Sequence, residues 1–173
     1  MILSGSLSTG YGRVYDIMNN ERTNVMRILD QKKIEFKSHS YKPDATMSGE
    51  EIAALLNEDK DRVFKTLVTQ GKSGAYYVFV VPVASELDLK KAAKAAGEKA
   101  VSMIKQKELL PLTGYVHGGC SPIGMKKHFP TFIHESARKY DRMFVSAGKV
   151  GFQIELSPAD LSAVAGCDFS DLI

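Results

Sequence analysis

Apolar residues fall into two rhythms along this chain, one matching a helix face and one a strand, separated by short polar or glycine-containing breaks. Val25, Met26, Ile28 and Leu29 share a helical face, with Thr23 placed to cap its start and Lys32 and Lys33 at its end, where cations suit the C-terminal dipole. A strand is predicted over about 35–41. Ser48 with Glu51 three residues on is a capping box, which opens a short amphipathic helix through Ile52, Ala53, Leu55 and Leu56. After the polar loop 57–61, the apolar runs 63–69 and 76–81 flank Gly71-Lys72-Ser73-Gly74, a hairpin signal. Residues 87–96 are helical by composition, with Gly97 as terminator; a short strand is predicted over 101–104 and a short helix over 105–110. Residues 131–133 and 143–145 read as strands, and Gly148 and Gly151 bracket a turn into the period-2 alternation of 152–156. Ser157-Pro158-Ala159-Asp160 then supplies a cap, a proline at the first helical position and an acid at the third, ahead of Leu161, Val164 and the stop at Gly166.

Short strands outnumber helices in this reading and do not alternate with them strictly. That favours an α/β fold of the mixed α+β kind, a curved, barrel-like mixed sheet surrounded by short helices, over a doubly wound sheet. Residues 1–20 are rich in Gly and Ser without periodicity, so 1–22 is expected to be an extension outside a single core domain at 23–173.

Composition narrows the picture modestly. A chain of 173 residues, 44% hydrophobic and 25% charged, is one domain's worth of ordinary globular sequence. A net charge of only +3 means that any nucleic-acid contact must come from clustered lysines. The cysteines, Cys120 and Cys167, are far apart, which points to reduced thiols in a cytoplasmic protein; no apolar run reaches membrane-spanning length.

Candidate chemistry centres on Gly118-Gly119-Cys120-Ser121-Pro122-Ile123-Gly124. Three glycines and a proline here shape an irregular backbone able to pass close to a ligand. Gly119-Cys120-Ser121 begins like a hydrolase nucleophile turn, but the closing glycine comes one residue late. Pro122 also lacks the N–H such a turn uses as oxyanion donor. His117 and Cys120 are three apart, yet His39, His128 and His134 show no spacing that completes a metal set, and no metal or cofactor is expected. Lys65 interrupts an apolar strand run. It reads either as an edge lysine that deters sheet pairing or as a cation at a pocket for a phosphate or carboxylate. Lys90, Lys91 and Lys94 share one helix side, either a solvated face or a phosphate-facing one.

Four motifs occur in order: Val63-Phe64-Lys65-Thr66-Leu67; Leu87-Asp88-Leu89-Lys90-Lys91-Ala92-Ala93; Thr113-Gly114-Tyr115 through Gly124; and Val145-Ser146-Ala147-Gly148-Lys149. Together they resemble the YbaK/EbsC group of bacterial aminoacyl-tRNA deacylases, relatives of the editing domain inserted in prolyl-tRNA synthetase. The resemblance implies release of cysteine from mischarged Cys-tRNA(Pro), with the acceptor end of proline tRNA as substrate and prolyl-tRNA synthetase as a transient partner. It implies Lys65 and Gly118 as catalytic residues, and Tyr41, Thr66, Gly119, Ser121, Pro122, Ser146 and Gly148 as substrate-binding ones. Lys90, Lys91, Lys94, Lys126 and Lys127 are the expected contacts to the tRNA backbone. The group is thought to work without a protein nucleophile, through the substrate's own thiol and the ribose hydroxyls. This chain departs from the pattern at Ala147, where many members have glycine, at Val150, where many have arginine, and at Gln153, where some carry an acid. Two alternatives remain: a deacylase for alanyl-tRNA(Pro), and a catalytically silent tRNA- or nucleotide-binding module.

Overall fold

The computed structural model describes residues 21–42 and 46–173. Of the expected extension, residues 1–20 lie outside the described part. The helix predicted behind Thr23 is α1 (Asn24–Gln31): Thr23 Oγ1 accepts from Met26 N at 3.3 Å, and Val25, Met26 and Leu29 are buried. β1 (Lys37–Ser40) follows, then α2 (Gly49–Leu55) behind its capping box, in which Glu51 N donates to Ser48 Oγ and Ser48 N to Glu51 Oε2. A 3-10 turn (Lys60–Arg62) leads into the expected hairpin, β2 (Phe64–Gly71) and β3 (Tyr76–Pro82).

α3 (Leu89–Ala96) starts where Asp88 Oδ1 accepts from Lys90 N and Lys91 N, and it stops at Gly97, which takes φ 70°. After β4 (Val101–Met103), α4 (Gln106–Thr113) runs three residues past its expected end. Thr113 Oγ1 donates to Leu109 O at 2.7 Å and Gly114, at φ 85°, closes the helix, so Pro111 does not end it. The glycine-rich stretch follows without regular structure. β5 (Thr131–His134), a second 3-10 turn (Glu135–Lys139), β6 (Met143–Ser146), β7 (Phe152–Leu156), α5 (Pro158–Ala165) and β8 (Cys167–Ser170) complete the chain.

The mixed architecture is as expected, but the barrel is not closed. The strands form two sheets, β1-β7-β6, all antiparallel, and β4-β2-β3-β5-β8, in which β5 pairs in parallel with β3 and β8. Among the described residues a single parallel bridge, Val63 to Phe144, joins them. Closure fails because β2 cannot serve both neighbours along its length. The ladder with β4 takes in only Thr69, Gln70 and Gly71, and β6 is bridged to Val63, just ahead of β2. The stretch of β2 around Lys65 therefore pairs with β3 on one edge and, among the described residues, has no ladder partner on the other.

The main core fills the space between the sheets, with Val25, Met26 and Leu29 of α1, Val78 and Val80 of β3, Val145 of β6, Ile154 of β7 and Leu161 of α5 packed together. A smaller cluster of Phe79, Val81, Ala92, Ala93, Val101 and Leu172 seats α3 on the opposite face of the larger sheet.

Candidate active site

Alternation along β2 sends Lys65 and Thr66 to opposite faces. Lys65 lies opposite Val81, on the α3 side, with its side chain 29% exposed and Nζ 3.6 Å from Glu86 Oε1. Thr66 faces the main core, where its hydroxyl is buried without a partner. The two are sequence neighbours but not one constellation.

The Val63–Phe144 bridge aligns Lys65 with the expected serine. Both strands run the same way from it, so Lys65 and Ser146, each two residues on, leave on the face that Val63 and Phe144 share. Ser146 is half-buried, and its Oγ accepts from Gly148 N at 3.2 Å, which holds the tight turn. Gly148 takes φ 88°, and a Cβ there would stand 2.9 Å from Tyr115 Cε1 and Val25 Cγ2, so glycine is required on both counts. Tyr41 is anchored to the same turn, its N–H donating to Gly151 O at 2.9 Å.

The glycine-rich stretch packs on this turn from the other side. A Cβ on Gly119 would lie 3.0 Å from Val150 N and 3.3 Å from Lys149 C, so backbone meets backbone there. Gly118 is exposed at φ 84°, and its N–H has no acceptor among the described residues. The fold thus gathers Gly118, Gly119, Ser146, Gly148 and Tyr41 around one turn, with Lys65 on the face that Ser146 shares.

Other expected site residues lie elsewhere. Ser121 is fully buried and its Oγ accepts from Ile123 N at 3.3 Å; Pro122 is buried beside it. Contact with a ligand through either side chain is therefore not available, a correction that follows from the stretch turning inward after Gly119. Burial also pushes the Cys120 thiol up to about 12, far from a thiolate at neutral pH. Lys90 and Lys94 are exposed on α3 and Lys126 and Lys127 on the loop after Gly124, while Lys91 Nζ is engaged by Asp171 Oδ2 at 2.8 Å. His117 is exposed, and no metal-holding group of side chains occurs among the described residues.

A polar cluster that the sequence did not signal lies under the site. His39, Gln153 and Ser146 are aligned across β1, β7 and β6, and Glu155 follows on the same face. His39 Nε2 is 2.9 Å from Glu155 Oε2, and Arg62 lies 3.7 Å from Glu155 Oε1 while its Nε donates to Arg142 O. Glu58 faces Gln153, whose amide nitrogen, oriented as its neighbours require, donates to both carboxylate oxygens at 2.8 and 2.9 Å. Burial first, then the nearby Glu155, push the Glu58 carboxyl up to about 8, against the opposing pull of Arg62 and Gln153. Burial and the Glu58 charge likewise raise the Tyr41 phenol, with a backbone hydrogen bond from Gly151 working the other way. Glu58 reaches this place because Asn57 takes φ 54° after α2 while Glu58 N closes back on Ala53 O. Glu58 stands near the start of a run of polar residues, 57–62, so only the left-handed Asn57 could have hinted that the chain turns inward.

Comparison with known proteins places this geometry. The aminoacyl-tRNA editing domain model matches residues 43–164. A protein of Enterococcus faecalis, provisionally named Cys-tRNA(Pro)/Cys-tRNA(Cys) deacylase EbsC, is 45% identical over 88% of this chain and 93% of its own length. The uncharacterized protein YwhH of Bacillus subtilis is 27% identical over 65% of this chain and 71% of its own. Among solved structures, one described provisionally as a trans-editing enzyme for prolyl tRNA synthetase superposes with a TM-score of 0.74 over 88% of this chain and 98% of that one, at 24% identity, a likeness of fold.

Proposed function

Because the chain belongs to the aminoacyl-tRNA editing domain family, we propose that it is a trans-acting aminoacyl-tRNA deacylase whose substrate is Cys-tRNA(Pro). The observation that carries this reading is the glycine wall against the Ser146–Gly151 turn, in which Gly118 offers a free N–H while Cys120 and Ser121 are turned inward. Such a wall can donate to an ester carbonyl and lacks a nucleophile of its own. In the reading we favour the substrate supplies it. The cysteine sulfur bonds to the ester carbonyl carbon, the ester C–O bond breaks, and the ribose oxygen leaves with the thiol's proton. Gly118 N–H stabilises the developing oxyanion, Lys65 holds the anionic end of the tRNA, and Ser146 and Tyr41 orient the aminoacyl group.

Cysteine and proline are close in size, so a synthetase pocket that admits one rejects the other poorly, and a second hydrolytic site is the physical remedy. A transient complex with prolyl-tRNA synthetase would hand over the mischarged tRNA. The test is single-turnover deacylation of Cys-tRNA(Pro) and Ala-tRNA(Pro) side by side. Rapid loss of cysteine alone supports the proposal; preferential loss of alanine moves the substrate, and release of neither reduces the protein to a binding module.

A further inference from the structure

We infer that Glu58 is the subsite for the α-ammonium group of the substrate's amino acid, an inference that rests on the proposed deacylase reading. The polar cluster on the outer face of β1, β7 and β6 contains two carboxyl groups with unequal company. Glu155 is served by the His39 imidazole at 2.9 Å and the Arg62 guanidinium at 3.7 Å. Arg62 is further tied by its Nε to Arg142 O. Glu58 has only the neutral amide of Gln153 on its two oxygens and, among the described residues, no ion pair.

A half-buried carboxyl in that position has no cation at ion-pair distance among the described residues, Arg62 acting on it only from further off, and a monocation would complete it. Its place in the site matches where such a cation would arrive. Gln153, against which Glu58 rests, is the direct cross-strand partner of Ser146, and Tyr41 is close enough for the Glu58 charge to act on its phenol. An aminoacyl ester whose carbonyl meets Gly118 N–H beside the Ser146 turn carries its amino group two bonds from that carbonyl carbon. N-blocked esters lack the cation at that distance, so the same contact would exclude them.

The decisive probes are the non-hydrolysable amide-linked 3′-cysteinylamino-3′-deoxyadenosine and its N-acetyl form, titrated calorimetrically into the wild-type protein, Glu58→Gln and Glu58→Asp. The wild type is expected to bind the free-amine form about tenfold or more tighter than the acetylated one, the size of a charge-assisted hydrogen bond. Glu58→Gln should bring that ratio near one while leaving affinity for the acetylated form unchanged, and Glu58→Asp, which keeps the charge, should restore part of it. An unchanged ratio in Glu58→Gln, a parallel loss for both probes, or failure of the wild type to bind either overturns the inference. Deacylation of Cys-tRNA(Pro) on the same preparations separates the two readings. Glu58-dependent discrimination without deacylation keeps the subsite and removes the reaction, whereas deacylation with Glu58-independent discrimination does the reverse.

Discussion

Lys65→Ala is the substitution whose effect on activity should stand clear of any effect on folding. The side chain is 29% exposed, and its ion pair with Glu86 spans 3.6 Å to a residue that is itself 96% exposed, so the pair adds little to stability. Lys65 belongs to neither core cluster, so truncation removes little apolar packing. The expected stability change is below about 1 kcal/mol. If the ammonium holds the anionic end of the tRNA, its loss removes a charge-assisted hydrogen bond of about 1.5–3 kcal/mol, which lowers the rate roughly ten- to a hundredfold. Thermal melting together with single-turnover deacylation of Cys-tRNA(Pro) measures both quantities on the same preparations. A Lys65→Ala protein that melts like the wild type and deacylates at the wild-type rate would refute the role given to Lys65.

Other consequences follow from the same geometry. Cys120→Ala and Ser121→Ala should keep most activity, with Ser121→Ala losing about 1 kcal/mol of stability for its bond to Ile123 N; complete inactivation of either folded variant would restore a protein nucleophile. Charge reversal at Lys90, Lys94, Lys126 or Lys127 should flatten the salt dependence of tRNA affinity by about 0.7–0.9 log units per log unit of salt for each phosphate that is no longer neutralised. Lys91, committed to Asp171, should matter less; slopes that do not move would make these lysines a solvated surface only. Glu58 titrates near 8 in the folded protein against an ordinary 4.5, so the folded state holds the extra proton between those values and stability falls as pH rises through that window. Glu58→Gln should therefore gain stability on the wild type as pH rises from about 5 to 8, by up to a few kcal/mol in urea unfolding, and a constant difference would contradict the raised value.

Local signals in the sequence were strong wherever a side chain closes on its own backbone. Thr23, Ser48 and Ser157 cap their helices as the spacing implied, and Gly97 and Gly166 end theirs in left-handed geometry. What the sequence hid is long-range. β8, with the short sequence Cys-Asp-Phe-Ser, exists because it pairs in parallel with β5, and nothing within it announces a strand. Likewise Glu58, His39 and Gln153 are separated by many residues and meet only through the β1–β7 register and the turn at Asn57, so no motif scan could join them. Lys65 was legible as an anomaly in an apolar run, but the face it shares with Ser146 follows only from the long-range bridge between Val63 and Phe144. Ser121 and Pro122 show the opposite failure, a motif placed correctly in the chain whose side chains the fold turns inward.

The central claim is that the substrate's sulfur, and no group of the protein, attacks the ester. It is tested most directly by single-turnover release from tRNA(Pro) charged with cysteine and with serine, with the enzyme-free rate subtracted at each pH. Serine replaces the thiol by a far less acidic hydroxyl while keeping size and amino group, so both esters should bind alike. The account predicts much faster enzymatic release of cysteine, rising with pH toward the thiol value of ~8.5. Equal enzymatic rates for the two esters would contradict it, and would mean that the protein activates water through Lys65, Tyr41 or His117.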